Sequence, residues 1–207
     1  PTLTIGDAGA EDAKIVFDGN AQDYHIGLDD SADDLVIGKG SALGTTAHIV
    51  TDENGNVTKP LQPVFLVRPS SDQVELATGD TDVAWGAEIF DVGSNFASNT
   101  FTAPVTGKYQ FNVSLYLSFV DIDTTLFDVY MVASNRTQRL MAMNPAKDFT
   151  ADGDNFTSMN ASTILDMDAS DTVTVRIDIT GGGGVIHLNG TAPASEFYTN
   201  WSGALIC

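Results

Sequence analysis

The 207-residue chain predicts an all-β protein: a two-sheet sandwich preceded by a short β-rich segment. Residues 101–116, FTAPVTGKYQFNVSLY, join a Pro–Gly turn to a strand in which Tyr109, Phe111, Val113 and Leu115 alternate with Lys108, Gln110, Asn112 and Ser114. Period-two alternation assigns the first set to a buried face and the second to water or a less apolar neighbour. From Phe65 onward, short apolar runs recur between turn residues at the spacing of sandwiches. No stretch sustains a 3.6-residue period between helix caps. RTQRLMAMNPAKDF admits one helical turn and fits a strand better.

In chain order, the apolar runs LTIGD, KIVFDG, YHIGLDD, DLVIGKG and AHIVTDENG occupy residues 3–55. Each ends in Gly, Asp or Asn, residues that form turns through positive φ or side-chain-to-backbone bonds. Asn54-Gly55 reads as a type I′ hairpin turn. These strands are too short and too few to enclose a core in one chain. A unit that cannot bury its apolar face alone must stack on neighbours or on other chains; three chains side by side would suffice. Residues 1–58 are therefore expected to form an acidic β-repeat shaft or neck. Residues 59–64, KPLQPV, carry two prolines and read as the entry to a second domain, 59–207. Its strands follow as VFLVRP, VAWGAEIF, NTFTAP, KYQFNVSLYLSFV, FDVYMVAS, RLMAMN, SMNASTILDM, TVTVRIDIT, VIHLNG and WSGALI.

Composition narrows the partners. The net charge is −19. Residues 1–58 hold eleven acidic residues against Lys14 and Lys39, a net of −9. Nucleic acid and anionic membrane are excluded as partners, since both need clustered Lys and Arg. No apolar run reaches 18 residues, so no membrane insertion is expected. Cys207, the single cysteine, forms no disulfide framework and is expected to be inert. The chain opens at Pro1 without Met and no signal peptide is visible, which reads as a fragment or processed product.

The order Phe101-x5-Gly107-x-Tyr109-x-Phe111 resembles the signature of the C1q/TNF-like jelly-roll domains. Phe90, Asn95 and Phe96 sit where that family carries aromatic and Asn positions. DTVTVRIDI with Gly181–Gly184 resembles its penultimate strand and Gly-rich loop, and WSGALI its terminal F-S-G-x-L-I strand. Two departures are visible. Four residues separate Phe96 from Phe101 where the family has six, and Val113 replaces a final aromatic. The resemblance implies a jelly roll over residues 65–207 that forms a homotrimer and binds a ligand. The phrases KIVFDGNAQDYHIGLDDSADDLVIG and TDENGNVT are similar to shaft-and-neck pieces of bacteriophage tail-fibre proteins.

Catalytic constellations are weak. His25, His48 and His187 stand alone, with no HExxH spacing, and read as strand or turn residues. No GxSxG elbow or P-loop is present, and Gly181–Gly184 lacks a following GK[ST]. Calcium is the stronger chemical option. Asp121, Asp123, Asp152 and Asp154 fall in loops of the second domain, and some C1q-like domains bind calcium. The oxygen-rich Asp52-x-Asn54-x-Asn56 lacks the EF-hand order. Tyr24, Trp85, Tyr116, Tyr130, Tyr198 and Trp201 fall mostly on alternating strand positions and read as core. Loops 121–127, 144–156 and 181–196 are the expected recognition surface, because sandwiches carry specificity on loops.

Together these readings predict a non-enzymatic, trimeric receptor-binding tip on a virion fibre, exposed outside the cell. It would bind a host cell-surface glycan or protein and join other virion proteins through its N-terminal side. A structural head-fibre or capsid decoration protein, a secreted cellular C1q-like adhesin and a polysaccharide depolymerase are the alternatives.

Overall fold

The computed structural model describes residues 1–151, 153–190 and 198–207. The chain divides into two compact units, Pro1–Gln62 and Pro63–Cys207.

In the N-terminal unit, β1 (Ala13–Phe17), β2 (Tyr24–Asp29), β3 (Asp34–Lys39), β4 (Ala47–Thr51) and β5 (Val57–Thr58) pair antiparallel in sequence order. Short turns make that order the cheapest. Asp29 fastens the β2–β3 turn, its side chain accepting from the Ser31 amide and hydroxyl. The β4–β5 turn differs from the type I′ expectation. Gly55 has φ +82°, whereas Asn54 is not left-handed. Asp52 organises this turn instead, accepting from the amides of Asn54 and Asn56 and from the Asn56 side chain. Those bonds, the Asn56 side chain foremost, hold the Asp52 carboxyl below its ordinary pKa. Register places Ile15, Ile26, Ile37 and Ile49 in one row across four strands.

The C-terminal unit contains β6 (Val64–Arg68), β7 (Gly79–Asp82), β8 (Ala87–Val92), β9 (Phe96–Ala97), β10 (Thr100–Thr102), β11 (Gly107–Ser118), β12 (Thr124–Ala133), β13 (Arg136–Met143), α1 (Pro145–Asp148), β14 (Thr157–Met167), β15 (Thr172–Gly181), β16 (His187–Leu188) and β17 (Asn200–Leu205). One sheet runs β13-β12-β15-β10-β9, with β7 on β15; the other runs β14-β11-β17-β6-β8, with β16 on β11. Apart from the β12–β13 hairpin, the long strands from β10 onward cross between sheets at each step. That winding is a jelly roll. The RTQRLMAMNPAKDF segment contains both anticipated pieces: a strand over Arg136–Met143, then the single turn α1 begun by Pro145.

The core lies between these two sheets. Along β11, Tyr109, Phe111, Val113, Leu115 and Leu117 are buried, as the alternation predicts. Phe65 stacks on Phe96 and Phe101 at 5.3 and 4.9 Å and meets Trp201 edge-on at 5.1 Å. Gly203 sits against Phe65 and Phe111 in register, and a Cβ there would lie 2.6 Å from both rings. This close approach explains the glycine in WSGALI.

Candidate functional site: a cleft where three loops meet

Two of the loops beside the cleft are fastened from below. Asp121 is buried, and its carboxylate accepts the Asp123 and Gly183 amides at 2.8 Å each. The second bond spans 62 residues and ties the start of β12 to the Gly-rich loop after β15. Gly182 fits there because it has φ +78° and no side chain to meet the Thr124 hydroxyl. Asn155 fastens the third loop by donating to the carbonyls of Val120 and Ala151 at 3.0 and 2.8 Å. Above these ties is an open cleft of about 440 Å³ lined by Phe119, Val120, Asp121, Asp123, Gly153, Asp154 and Val185. Phe119 adopts a left-handed φ of +54°, uncommon for a bulky residue, and its ring packs on His187 at 4.7 Å.

The structure brings three of the four calcium candidates to one place. Asp121, Asp123 and Asp154 all line the cleft, and Asp152 lies outside the described residues. Asp121 already serves two amides, which leaves Asp123 and Asp154 as the exposed carboxylates. Among the described residues, no three of His, Cys, Asp and Glu group at metal-binding spacing. The expected loops, 121–127, 144–156 and 181–196, supply five of the seven lining residues; the other two, Phe119 and Val120, follow directly after β11. Residues 191–197 of the third loop lie outside the described residues. Apolar walls from Phe119, Val120 and Val185 beside two carboxylates can hold a sugar ring by contact and hydrogen bonding.

Two features differ from the sequence reading. Trp85 and Trp201 are core, but Tyr24 and Tyr198 are exposed and Tyr116 is half-buried. Tyr116 stacks on Phe156 at 5.9 Å and meets Tyr198 at 5.1 Å. The second feature is a charged patch on the outward face of β7, β15, β12 and β13. Asp128, only 1% exposed, pairs with Arg139 and accepts the Tyr130 hydroxyl at 3.0 Å. Arg176 bonds Asp82 at 2.8 Å and Asp80 at 3.4 Å. The bond to Asp128 and then burial raise the Tyr130 pKa, and the carboxylate bonds raise those of Arg139 and Arg176. Alternation in FDVYMV marks Asp128 and Tyr130 as outward, but only register reveals their partners.

The opposite sheet presents a different face. Two of its outward rows are Asn160/Ser114/Asn200 and Ser162/Asn112/Ser202 on β14, β11 and β17, and the Lys108–Asp166 ion pair lies farther along the same face. The six Asn and Ser residues are uncharged.

No protein-family model matches the chain, and no curated protein matches it. Among solved structures, murine APRIL at pH 8.5 is similar over 70% of this chain and 99% of its own, at 14% identity and a TM-score of 0.46. The globular domain of zebrafish complement 1qA protein is similar over 70% of this chain and 98% of its own, at 14% identity and a TM-score of 0.45.

Proposed function

We propose that the chain is a non-enzymatic, trimeric attachment protein at the tip of a virion fibre, of the tailed-bacteriophage kind, and that it binds a host cell-surface glycan through the three-loop cleft. The observation that carries the reading is the convergence of sequence-remote loops on one cleft, each fastened by a buried Asp or an Asn rather than left to find its own shape. Pre-organisation of this kind lowers the ordering cost of binding. The phage-like phrases of residues 14–38 and 51–58 favour a virion over a cell-borne adhesin. Threefold assembly is supported by the contrast between the two sheets. One outward face is densely charged, whereas the middle of the other carries two adjoining rows of Asn and Ser, an uncharged strip that copies of a −19 chain can bring together.

The test is adsorption of labelled full-length protein to a panel of bacterial cells. Val185→Arg and Asp123→Lys, both at exposed lining positions, should each weaken binding at least tenfold without changing the melting temperature. Periodate treatment of the cells should abolish binding. Abolition by protease alone would assign a protein receptor. Release of reducing ends would make the protein a depolymerase. Absence of binding, with particles that merely lose stability without the protein, would favour decoration.

A further inference from the structure

The N-terminal sheet has two unlike faces. On one, His25 and Val36 are buried, with Gly27 and Gly38 beside them. The chain itself closes the face around His25. The imidazole Nδ1 lies 2.9 Å from the Gly40 carbonyl oxygen, and a side chain at Gly38 would collide with the His25 ring and the Thr46 carbonyl. The other face holds the isoleucine row Ile15, Ile26, Ile37 and Ile49. It is flanked by Leu28 and Leu35 on one side and by Phe17 and Tyr24 on the other. Much of this face is exposed: Phe17 is 61% exposed, Leu28 and Leu35 are each 46% exposed, and Ile15 and Ile37 are exposed while Ile26 and Ile49 are half-buried.

We infer that this isoleucine face is covered by other copies of the same chain. Adjacent strands are about 4.8 Å apart, so the row forms a straight apolar column running across the strands. Copies set around an axis parallel to that column bring one isoleucine from each chain to the same level. A narrow central column with apolar shoulders fits such a seam. The exposed apolar area is on the order of 600 Å² per copy, near the ~800 Å² per partner of a stable interface and at the upper limit for a monomer's largest apolar patch. Charge at the rim agrees. Lys39 lies in the end row with Phe17 and Tyr24, whose chain neighbours are Asp18 and Asp23. Each copy therefore offers a cation to its neighbour's acids and acids to its neighbour's cation. The number of copies, three, rests on the threefold reading proposed above; the face does not.

The test uses the full chain with Cys207→Ser and compares two neighbouring positions on opposite faces. After mild diamide oxidation, Ile15→Cys should form covalent dimers within the assembly, and Lys14→Cys should form none. Ile37→Glu should raise the dissociation constant measured by sedimentation at least a hundredfold. A trimer in which Ile15→Cys stays uncross-linked and Ile37→Glu changes nothing would overturn the inference and leave the threefold reading intact. A dimer cross-linked through Ile15→Cys would keep the inference and discard threefold assembly. A monomer at micromolar concentration, with no cross-link, would overturn both.

Discussion

Tyr109 and Phe111 face the aromatic core, and Gln110 between them faces outward. Removing either aromatic should cost about 3–5 kcal/mol, a large share of a domain's stability. Gln110→Ala should cost less than about 0.5 kcal/mol. Thermal melts of the three variants check this, and equal losses would refute the register. Gly203→Ala tests packing from the other direction. Its methyl group would press into the Phe65 and Phe111 rings, so about 1–3 kcal/mol of overpacking is expected. The first effect was legible in sequence, because strand alternation is local; the second was not, because Gly203 meets Phe65 and Phe111 only once three strands far apart in sequence are in register. Nor was the role of Asp121. It read as a metal candidate, whereas the Gly183 amide it holds lies 62 residues away and enters reach only after β12 and β15 are placed.

Turns form a second set of joints. Asp171 accepts the Ser134 hydroxyl at 2.6 Å, the Asp168 amide at 2.9 Å and the Asn135 side chain at 3.1 Å, which ties the β12–β13 turn to the β14–β15 turn. The Ser134 bond, followed by the Asp168 amide, holds its pKa below the ordinary carboxylate value. A carboxylate depressed in the folded state contributes stability above its unfolded pKa of about 3.9, and this stability is lost as pH falls through the folded pKa. Wild type should therefore exceed Asp171→Asn most at neutral pH, and the gap should close below about pH 4. Denaturant titrations across that range measure it; a gap that widens on acidification would contradict the assignment. Strand existence was readable almost throughout the C-terminal unit, because each run is bounded by Gly, Pro, Asn or Asp. The outward rows of charged residues on one sheet and Asn/Ser on the other were not, since both depend on register between strands far apart in sequence.

Across the whole molecule, charge and apolar surface oppose one another. Each chain carries −19, so assembly gathers like charges while it buries the isoleucine column. Screening weakens the first effect and leaves the second. The assembly should tighten as salt rises from about 20 mM to about 500 mM, where the Debye length shrinks from roughly 20 Å to under 5 Å. Sedimentation equilibrium at both salt concentrations checks this. Dissociation at high salt would point to ion pairs as the glue instead. The acidic excess was visible from composition alone. The apolar runs of residues 3–55 were visible too, but their alignment into one column depends on the four strands pairing in register.

Pro63 and Leu205 open and close the jelly roll side by side, the Leu205 amide donating to the Pro63 carbonyl at 3.0 Å. A polypeptide that enters and leaves a folded body at one point can be spliced elsewhere without stretching its hosts. Linking residues 206 and 63 through a few glycines and cutting the chain at an exposed turn should give a circular permutant that still folds. The same geometry would let the jelly roll be moved between chains as an intact cassette.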